Sequence, residues 1–273
     1  MKEFTHFQQK WTLIQSQDSA INTLAIDSAL IRYLPAYHDN LSDPNSHMLI
    51  LHWYPISQPT VLLGAKDTRL KNYQVGRAFL ENQGYKVLVR PHGGLAIVCD
   101  PGILNLSLIQ DGRMKALDIQ SAYLDFIQFI RFVFQDFPID IDFYEMATSY
   151  CPGKFDLIVN QTKIGGLAQR RFKHGISTAA YLSISGNQKK RGQIMKEFYQ
   201  ISQADSSYPH IDPKSMANLS DHLDTKISTQ ELLGVIKDKL NIHEHEQTID
   251  IHDSRLLKEI QEARQAIYLR SLY

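Results

Sequence analysis

The order of strand-like and helix-like segments constrains the fold of this chain more than any other feature. Short runs rich in branched and apolar residues, typical of strands, lie at about 48–54, 60–64, 85–90, 95–99 and 103–109. From Leu117, apolar residues recur at helical spacing as far as Pro138, which predicts one long amphipathic helix. Because strands and helices are interspersed without regular alternation, the sequence predicts an α+β fold with mixed β-sheets and surrounding helices.

The rest of the chain yields further segments and a domain organisation. We predict a half-buried strand at 139–143, a hairpin with arms at 155–159 and 162–169, a strand at 178–184, and helices at 73–83, 190–201 and 254–269. Ser228 and Glu231 form a capping-box pattern ahead of another helix. We therefore predict a single domain over 1–273, with a catalytic core at 45–225 and a helical C-terminal extension at 226–273.

Composition excludes several classes of protein. Lysine plus arginine equal aspartate plus glutamate at 29 each, so no overall field attracts nucleic acid or an anionic membrane. Two cysteines cannot form a disulfide framework. The first residues show no secretory signal, and no run approaches the ~18 apolar residues of a membrane span. We therefore expect a cytoplasmic protein with no nucleic-acid or membrane partner.

One of the two cysteines lies in the sequence SYCPG at 149–153. The Pro-Gly turn after Cys151 places its sulfur at a surface or in a cleft, where a thiolate is a nucleophile for acyl transfer. The alternative is an inert buried thiol, the commonest state of a free cysteine. Cys99 ends the apolar run 96–98, and we predict that it is part of the core.

Lys163 begins the second arm of the predicted hairpin, twelve residues after the cysteine. Gly165 and Gly166 follow it, and glycines inside a strand often mark the close approach of a ligand or another backbone. A lysine alone in this place would more often be solvated. Next to the two glycines, we expect it to point towards a ligand.

A second candidate site is the sequence RPHGGLA at 90–96, which we call the acyl loop because it is a candidate to hold the carbonyl oxygen of an acyl group. Its Gly93 and Gly94 can expose backbone N–H groups that hold a carbonyl oxygen or a phosphate, with Arg90 beside them. His92 is either a helper base or a hydrogen-bonding loop residue.

Two further clusters are weaker candidates for a site. The basic residues within 170–174 form either a solvated edge or a docking point for an acidic partner. The sequence HEH at 243–245 has metal-ligand residue types without a third ligand at a supporting spacing, so we expect a polar loop and no metal site.

Together these segments resemble the lipoate–protein ligase and octanoyltransferase superfamily, which shares its fold with biotin–protein ligases. The acyl loop resembles the arginine-and-glycine loop of that superfamily, and KIGGLAQ at 163–169 resembles its lysine signature. SYCPG at 149–153, with the aspartate and leucine at 156–157, is similar to one branch. That branch comprises the octanoyl-[H protein]:protein N-octanoyltransferases, or lipoyl amidotransferases. The resemblance covers about residues 53–182.

The resemblance implies a function and a set of site residues. It implies transfer of an octanoyl, and also a lipoyl, group from the glycine-cleavage H protein to E2 lipoyl domains of 2-oxoacid dehydrogenases. Cys151 would carry the acyl group as a thioester, and Lys163 would activate the thiol. Residues of the two glycine segments would bind the acyl group: Arg90, His92, Gly93, Gly94, Gly165 and Gly166.

The exchange of one lysine amide for another needs neither ATP nor metal, so we expect no cofactor. Where ligases of the superfamily often have a third glycine, this chain has Leu95, which counts against adenylate binding. The alternatives are an octanoyltransferase that uses octanoyl-acyl carrier protein, an ATP-dependent lipoate ligase, and a non-catalytic carrier-binding module.

Overall fold

The computed structural model describes residues 10–16, 18–42, 48–114, 117–241 and 249–272. Within these ranges the chain forms ten strands and six α-helices. The strands are β1 (Lys10–Gln15), β2 (Met48–Trp53), β3 (Thr60–Leu63), β4 (Lys86–Val89), β5 (Ile97–Cys99), β6 (Ile103–Asp111), β7 (Asp142–Phe143), β8 (Leu157–Val159), β9 (Thr162–Phe172) and β10 (Gly175–Ser183). The helices are α1 (Ala20–His38), α2 (Tyr73–Asn82), α3 (Ile119–Val133), α4 (Gln188–Ile201), α5 (Thr229–Leu240) and α6 (Ser254–Ser271).

The strands form two mixed sheets. A seven-stranded sheet has the order β1-β2-β6-β10-β9-β8-β7, and a three-stranded sheet has the order β4-β3-β5. β1 pairs with β2 and β3 with β4 in parallel, whereas the other pairs, such as β6 with β10 and β10 with β9, are antiparallel. The prediction of an α+β fold with mixed sheets is confirmed.

Helices cover both faces of the large sheet. Successive side chains of a strand point to opposite faces, so β2 contributes to two separate layers of the core. Leu49 and Leu51 pack in the layer that includes residues of α3 and α5. Met48 and Ile50 pack in the layer that includes α1, and Leu256 of α6 belongs to the same layer. Because α1 lies between the sheet and α6, most of its side chains are buried.

The small sheet has its own core, and it carries the acyl loop. Residues of β3, β4 and β5 pack in one cluster with residues of α2, α4 and α6. The acyl loop joins β4 to β5, and a turn at 100–102 then leads the chain from β5 into β6 of the large sheet. The loop therefore lies where the two sheets meet, close to β9 and β10.

Most of the predicted elements are present, but three differ. The helix predicted from Leu117 to Pro138 begins at Ile119, where the Asp118 side chain caps it by accepting from the N–H of Ser121, and it ends at Val133. Residues 134–136 form a turn instead, since Pro138 has no N–H to donate to the carbonyl of Phe134 and its ring would clash with that carbonyl in a helix. The strand predicted at 139–143 is reduced to the two residues of β7, and the one predicted at 95–99 begins only at Ile97.

The N-terminal part of the fold was not predicted. β1 forms one edge of the large sheet, and α1 packs against β6 and β10. The hairpin and the capping box are confirmed: β8 pairs antiparallel with β9, and Ser228 and Glu231 exchange their capping hydrogen bonds. The division into a core and a C-terminal extension stays a prediction, and the HEH sequence lies outside the described residues.

Candidate active site

Cys151 lies on the loop between β7 and β8, and its backbone is held in an uncommon conformation. Its φ is +48°, in the left-handed region that residues other than glycine rarely adopt. Tyr150 beside it is fully buried, and the Asp156 carboxylate accepts the N–H groups of Met146 and Gly153, both at 3.1 Å. The surrounding loop is therefore fixed, and it holds a strained, half-buried cysteine, a state that is concentrated at functional sites.

The sulfur of Cys151 accepts hydrogen bonds from two groups of the acyl loop. The guanidinium Nη2 of Arg90 and the backbone N–H of Leu95 both lie 3.3 Å from it. The same Nη2 donates to the carbonyl of Leu95 at 2.7 Å, which fixes the two donors relative to each other. The sulfur therefore has two donors in direct contact, one of them a cation. The acyl loop and the loop at 144–156 that carries Cys151, which we call the cysteine loop, therefore form one site, although about sixty residues separate Arg90 from Cys151 in the chain.

Gly94 is a glycine for a steric reason, and Gly93 is not. The φ of Gly94 is +91°, and a Cβ on it would lie 2.7 Å from Nη2 of Arg90 and 3.1 Å from the Cys151 sulfur. A Cβ on Gly93 would approach nothing closer than the Gln169 carbonyl, at 4.0 Å. The second glycine of the pair thus permits the contact between the acyl loop and the thiol.

Lys163 is buried and binds the backbone of the cysteine loop. Its ammonium donates to the hydroxyl of Ser149 and the carbonyl of Tyr150, both at 3.0 Å, and to the carbonyl of Cys151 at 2.8 Å. It also forms an ion pair with Asp156 at 3.0 Å. Burial raises the pKa of Asp156, although the adjacent ammonium of Lys163 opposes that rise. The ammonium therefore contacts the carbonyl of the cysteine, whereas Arg90 contacts its sulfur.

The two glycines after Lys163 make room for different neighbours. A Cβ on Gly166 would lie 3.2 Å from Oδ1 of Asp156 and 3.4 Å from Cε of Lys163. A Cβ on Gly165 would lie 2.4 Å from the backbone carbonyl of Tyr181 on the next strand. Gly166 accommodates the buried ion pair and Gly165 the packing of β9 on β10, while an acyl-binding role for either stays a prediction.

His92 points away from the thiol. Its Nε2 lies 3.1 Å from the carboxylate of Asp27 and 3.1 Å from the hydroxyl of Ser177. All three side chains are buried. Of the two roles considered for His92, the geometry matches the hydrogen-bonding loop residue.

Asp67 is a buried carboxyl that the sequence did not single out. It follows β3 and accepts the N–H of Gly64 at 2.7 Å and the hydroxyl of Tyr199 at 2.9 Å. Burial raises its pKa to about 6. This turn packs directly against the acyl loop, since a Cβ on Gly64 would lie 1.9 Å from the carbonyl oxygen of Gly94. Asp67 therefore fixes the turn on which the acyl loop rests.

The arginines of the basic cluster bind other parts of the chain. Arg170 donates to the hydroxyl of Ser28 at 2.6 Å, whereas Arg171 donates to the carbonyls of Leu117 and Asp118 just before α3. As neighbours on a strand they point to opposite faces of β9. The cluster is therefore not one continuous basic surface, and a docking role for it stays a prediction.

Comparisons with known proteins identify the family to which the chain belongs. Residues 23–241 match the family model of the lipoyl protein ligase A/B catalytic domain. The chain belongs to that family. It is 35% identical over 219 residues to an octanoyl-[GcvH]:protein N-octanoyltransferase of Oceanobacillus iheyensis, which covers 79% of this chain and 75% of the relative. It is also 35% identical over 221 residues to a lipoyl-[GcvH]:protein N-lipoyltransferase of Listeria monocytogenes, covering 80% and 76% of the two chains.

The fold is similar to that of solved ligases. A crystal structure of lipoate-protein ligase A bound with ATP superposes with a TM-score of 0.68 at 18% identity and covers 94% of each chain. The resemblance to the octanoyltransferase branch, drawn from the acyl loop, the cysteine loop and the lysine segment, is confirmed by the relatives. The ligase-like fold is confirmed by the solved structure. None of the helices in the described ranges is long and apolar enough to cross a membrane.

Proposed function

We propose that this chain is an acyltransferase that moves an octanoyl group from the lysine of octanoylated GcvH to the lysine of an E2 lipoyl domain, through a thioester on Cys151. The observation that carries the proposal is the sulfur of Cys151, bound by Arg90 and the N–H of Leu95 at 3.3 Å each. The names of the relatives support GcvH as the donor. The name of the Listeria relative supports a lipoyl group as a second cargo.

In the first half-reaction the thiolate attacks the carbonyl carbon of the acyl-lysine amide. The C–S bond forms as the C–N bond breaks, and the donor lysine leaves as an amine that has gained a proton. In this proposal the N–H of Leu95, which contacts the sulfur in the structure, donates to the oxyanion of the intermediate. We assign the donation of this proton to Lys163, whose ammonium is the cation that contacts the backbone of Cys151, at 2.8 Å from its carbonyl oxygen.

In the second half-reaction the acceptor lysine attacks the thioester, and the thiolate leaves. The proton lost by the incoming amine returns to Lys163, so that the enzyme ends as it began. One lysine amide is exchanged for another, and the overall reaction is nearly thermoneutral. It therefore requires neither ATP nor a metal ion.

The proposal is tested with octanoylated GcvH and intact-mass measurement of the enzyme. We expect the wild-type protein to gain the mass of one octanoyl group and to lose it when an apo lipoyl domain is added. Cys99→Ala is the matched control and should gain the same mass, whereas Cys151→Ala should gain none. A wild-type protein that gains no octanoyl group from GcvH contradicts the proposal.

Two further measurements separate the remaining functions. If octanoyl-acyl carrier protein forms the adduct faster than GcvH does, the donor assignment is wrong. Release of pyrophosphate from ATP with free lipoate would identify a ligase instead.

A further inference from the structure

A second polar cluster lies behind the acyl loop, centred on the carboxylate of Asp27 in α1. Oδ1 of Asp27 lies 3.2 Å from Nδ1 of His52. Its Oδ2 accepts the hydroxyl of Ser177 at 3.0 Å and lies 3.1 Å from Nε2 of His92. The other nitrogen of His52 lies 2.8 Å from the hydroxyl of Ser16. These five side chains are all buried, and they come from β2, β10, α1 and two loops.

The cluster is arranged around an ionised carboxylate. Burial acts to raise the pKa of Asp27, but hydrogen bonds from His52 and His92 outweigh it and hold that pKa well below its usual range. A carboxylate only accepts hydrogen bonds, so Nδ1 of His52 donates to it. Nε2 of His92 lies 3.1 Å from both the carboxylate and the hydroxyl of Ser177, which itself donates to Asp27, so an N–H at Nε2 faces both acceptors. An anion buried so deeply is tolerated only with such donors.

His92 links this cluster to the active site. It lies two residues after Arg90 and two before Gly94, in a stretch that belongs to neither sheet. Arg90 is fixed at the end of β4, where its N–H donates to the carbonyl of Leu63 at 2.9 Å. Among the described residues, positions 91–96 of the loop form no ladder hydrogen bonds, and side-chain contacts help to set their path. The contact of His92 with Asp27 is one of these.

We infer that Asp27 is a positioning residue, which acts through His92 to hold the acyl loop so that Arg90 and the N–H of Leu95 face the sulfur of Cys151. Asp27 itself does not touch the sulfur. Without the charge of the carboxylate, His92 has only neutral acceptors, the hydroxyl of Ser177 and, in an asparagine variant, the amide oxygen. Its anchor is then weaker, and the loop gains freedom where the two donors approach the thiol. The consequence for catalysis rests on the proposed function, whereas the consequence for the thiol does not.

The first experiment measures the rate at which iodoacetamide alkylates Cys151 at neutral pH in Asp27→Asn. We expect that rate to fall about tenfold, because donors displaced by a fraction of an ångström no longer stabilise the thiolate. Octanoyl transfer should lose kcat while the KM for GcvH stays unchanged. A folded Asp27→Asn protein whose thiol reacts at the wild-type rate would overturn the inference.

The matched control is Asp111→Asn. Asp111 is also a buried carboxylate paired with a histidine, since its Oδ2 lies 3.2 Å from Nδ1 of His38, but it lies at the end of β6. We expect this variant to lose stability and yet to keep the wild-type alkylation rate. An equal loss of alkylation in both variants would show a general effect of destabilisation and overturn the positioning role.

A second variant covers the case in which Asp27→Asn does not fold. His92→Ala truncates a loop side chain and should lower the alkylation rate of Cys151 about tenfold as well. His92→Gln, which keeps a donor, should restore part of it. Wild-type reactivity in His92→Ala would overturn the inference. Alkylation needs no acyl donor, so this result is independent of whether octanoyl transfer is observed.

Discussion

The two cysteines of this chain show how position determines the chemistry of one residue type. Cys99 ends β5 with no exposed surface, and burial raises its pKa to about 12. Cys151 lies half-buried on a loop, with two donors directed at its sulfur. The charge of Arg90 acts on Cys99 as well, but burial outweighs it there. A cation in the neighbourhood is therefore not sufficient to offset burial at Cys99, whereas Cys151 combines a partly open sulfur with two donors in direct contact.

The largest expected effect is the difference in reactivity between these two thiols. Since the thiolate is the reacting form and burial raises the pKa of Cys99, iodoacetamide at pH 7 should alkylate Cys151 at least about 10³ times faster than Cys99. Timed labelling followed by peptide mass mapping measures both rates in one sample. Comparable rates would show that the contacts with Arg90 and Leu95 do not activate the thiol.

The sequence predicted those parts of the fold that depend on residues close together in the chain. The hairpin of β8 and β9 and the capping box at Ser228 are local features, and both are present. α1 was missed because it is buried on nearly every side, so no alternation of polar and apolar residues marks it. The stretch does hold polar residues such as Asn22, Asp27 and Arg32, but they lie five positions apart and so do not mark one face of a helix.

The next effect is a comparison of two neighbouring glycines. Gly94→Ala would place a methyl group 2.7 Å from Nη2 of Arg90, at a positive φ, and should separate the donors from the sulfur. We expect octanoyl transfer and alkylation of Cys151 to fall about 10²-fold. Gly93→Ala is the matched control, because its methyl group meets only ordinary contact distances. If both variants are equally impaired, loop flexibility rather than the contact with the thiol explains the loss.

A smaller effect on the alkylation rate is expected when the positive charge of Arg90 beside Cys151 is removed. Arg90→Met keeps much of the apolar length of the side chain and removes the guanidinium donor, while the N–H of Leu95 remains. We therefore expect alkylation of Cys151 to fall about tenfold. Arg90→Lys should fall less, because it keeps a positive charge. Arg131→Met on α3 serves as the control with a wild-type rate, and an unchanged rate in Arg90→Met would show that Leu95 alone suffices.

The site was predicted in its members but not in its contacts. Sequence reasoning placed Cys151, Lys163 and Arg90 in one site, yet it expected the lysine at the thiol. In the structure the guanidinium of Arg90 donates to the sulfur of Cys151, whereas the ammonium of Lys163 donates to the backbone carbonyl of Cys151. Residue types and spacing do not determine which of two cations reaches an atom. That depends on how the β4–β5 loop packs on β9, a tertiary contact between segments distant in the chain.

The smallest effect concerns Asp67, the carboxyl behind the acyl loop. Its pKa is raised by burial to about 6 from an ordinary 3.8, so the folded state keeps the proton longer than the unfolded state. Its contribution to stability is fully present below pH 3.8 and is lost as the pH rises through about 6. Between pH 5 and pH 7 we expect a loss of about 1 kcal/mol in the free energy of unfolding.

Asp67→Asn cannot titrate, so the difference in unfolding free energy between wild type and variant should change by that amount across the same interval. Urea denaturation at several pH values measures it, and Asp224→Asn on the surface should keep the wild-type slope. If Asp67→Asn also keeps that slope, the carboxyl is not desolvated and the turn beneath Gly94 is open to water. The turn that packs against the acyl loop would then be hydrated, in contrast to the fully buried surroundings of Cys99.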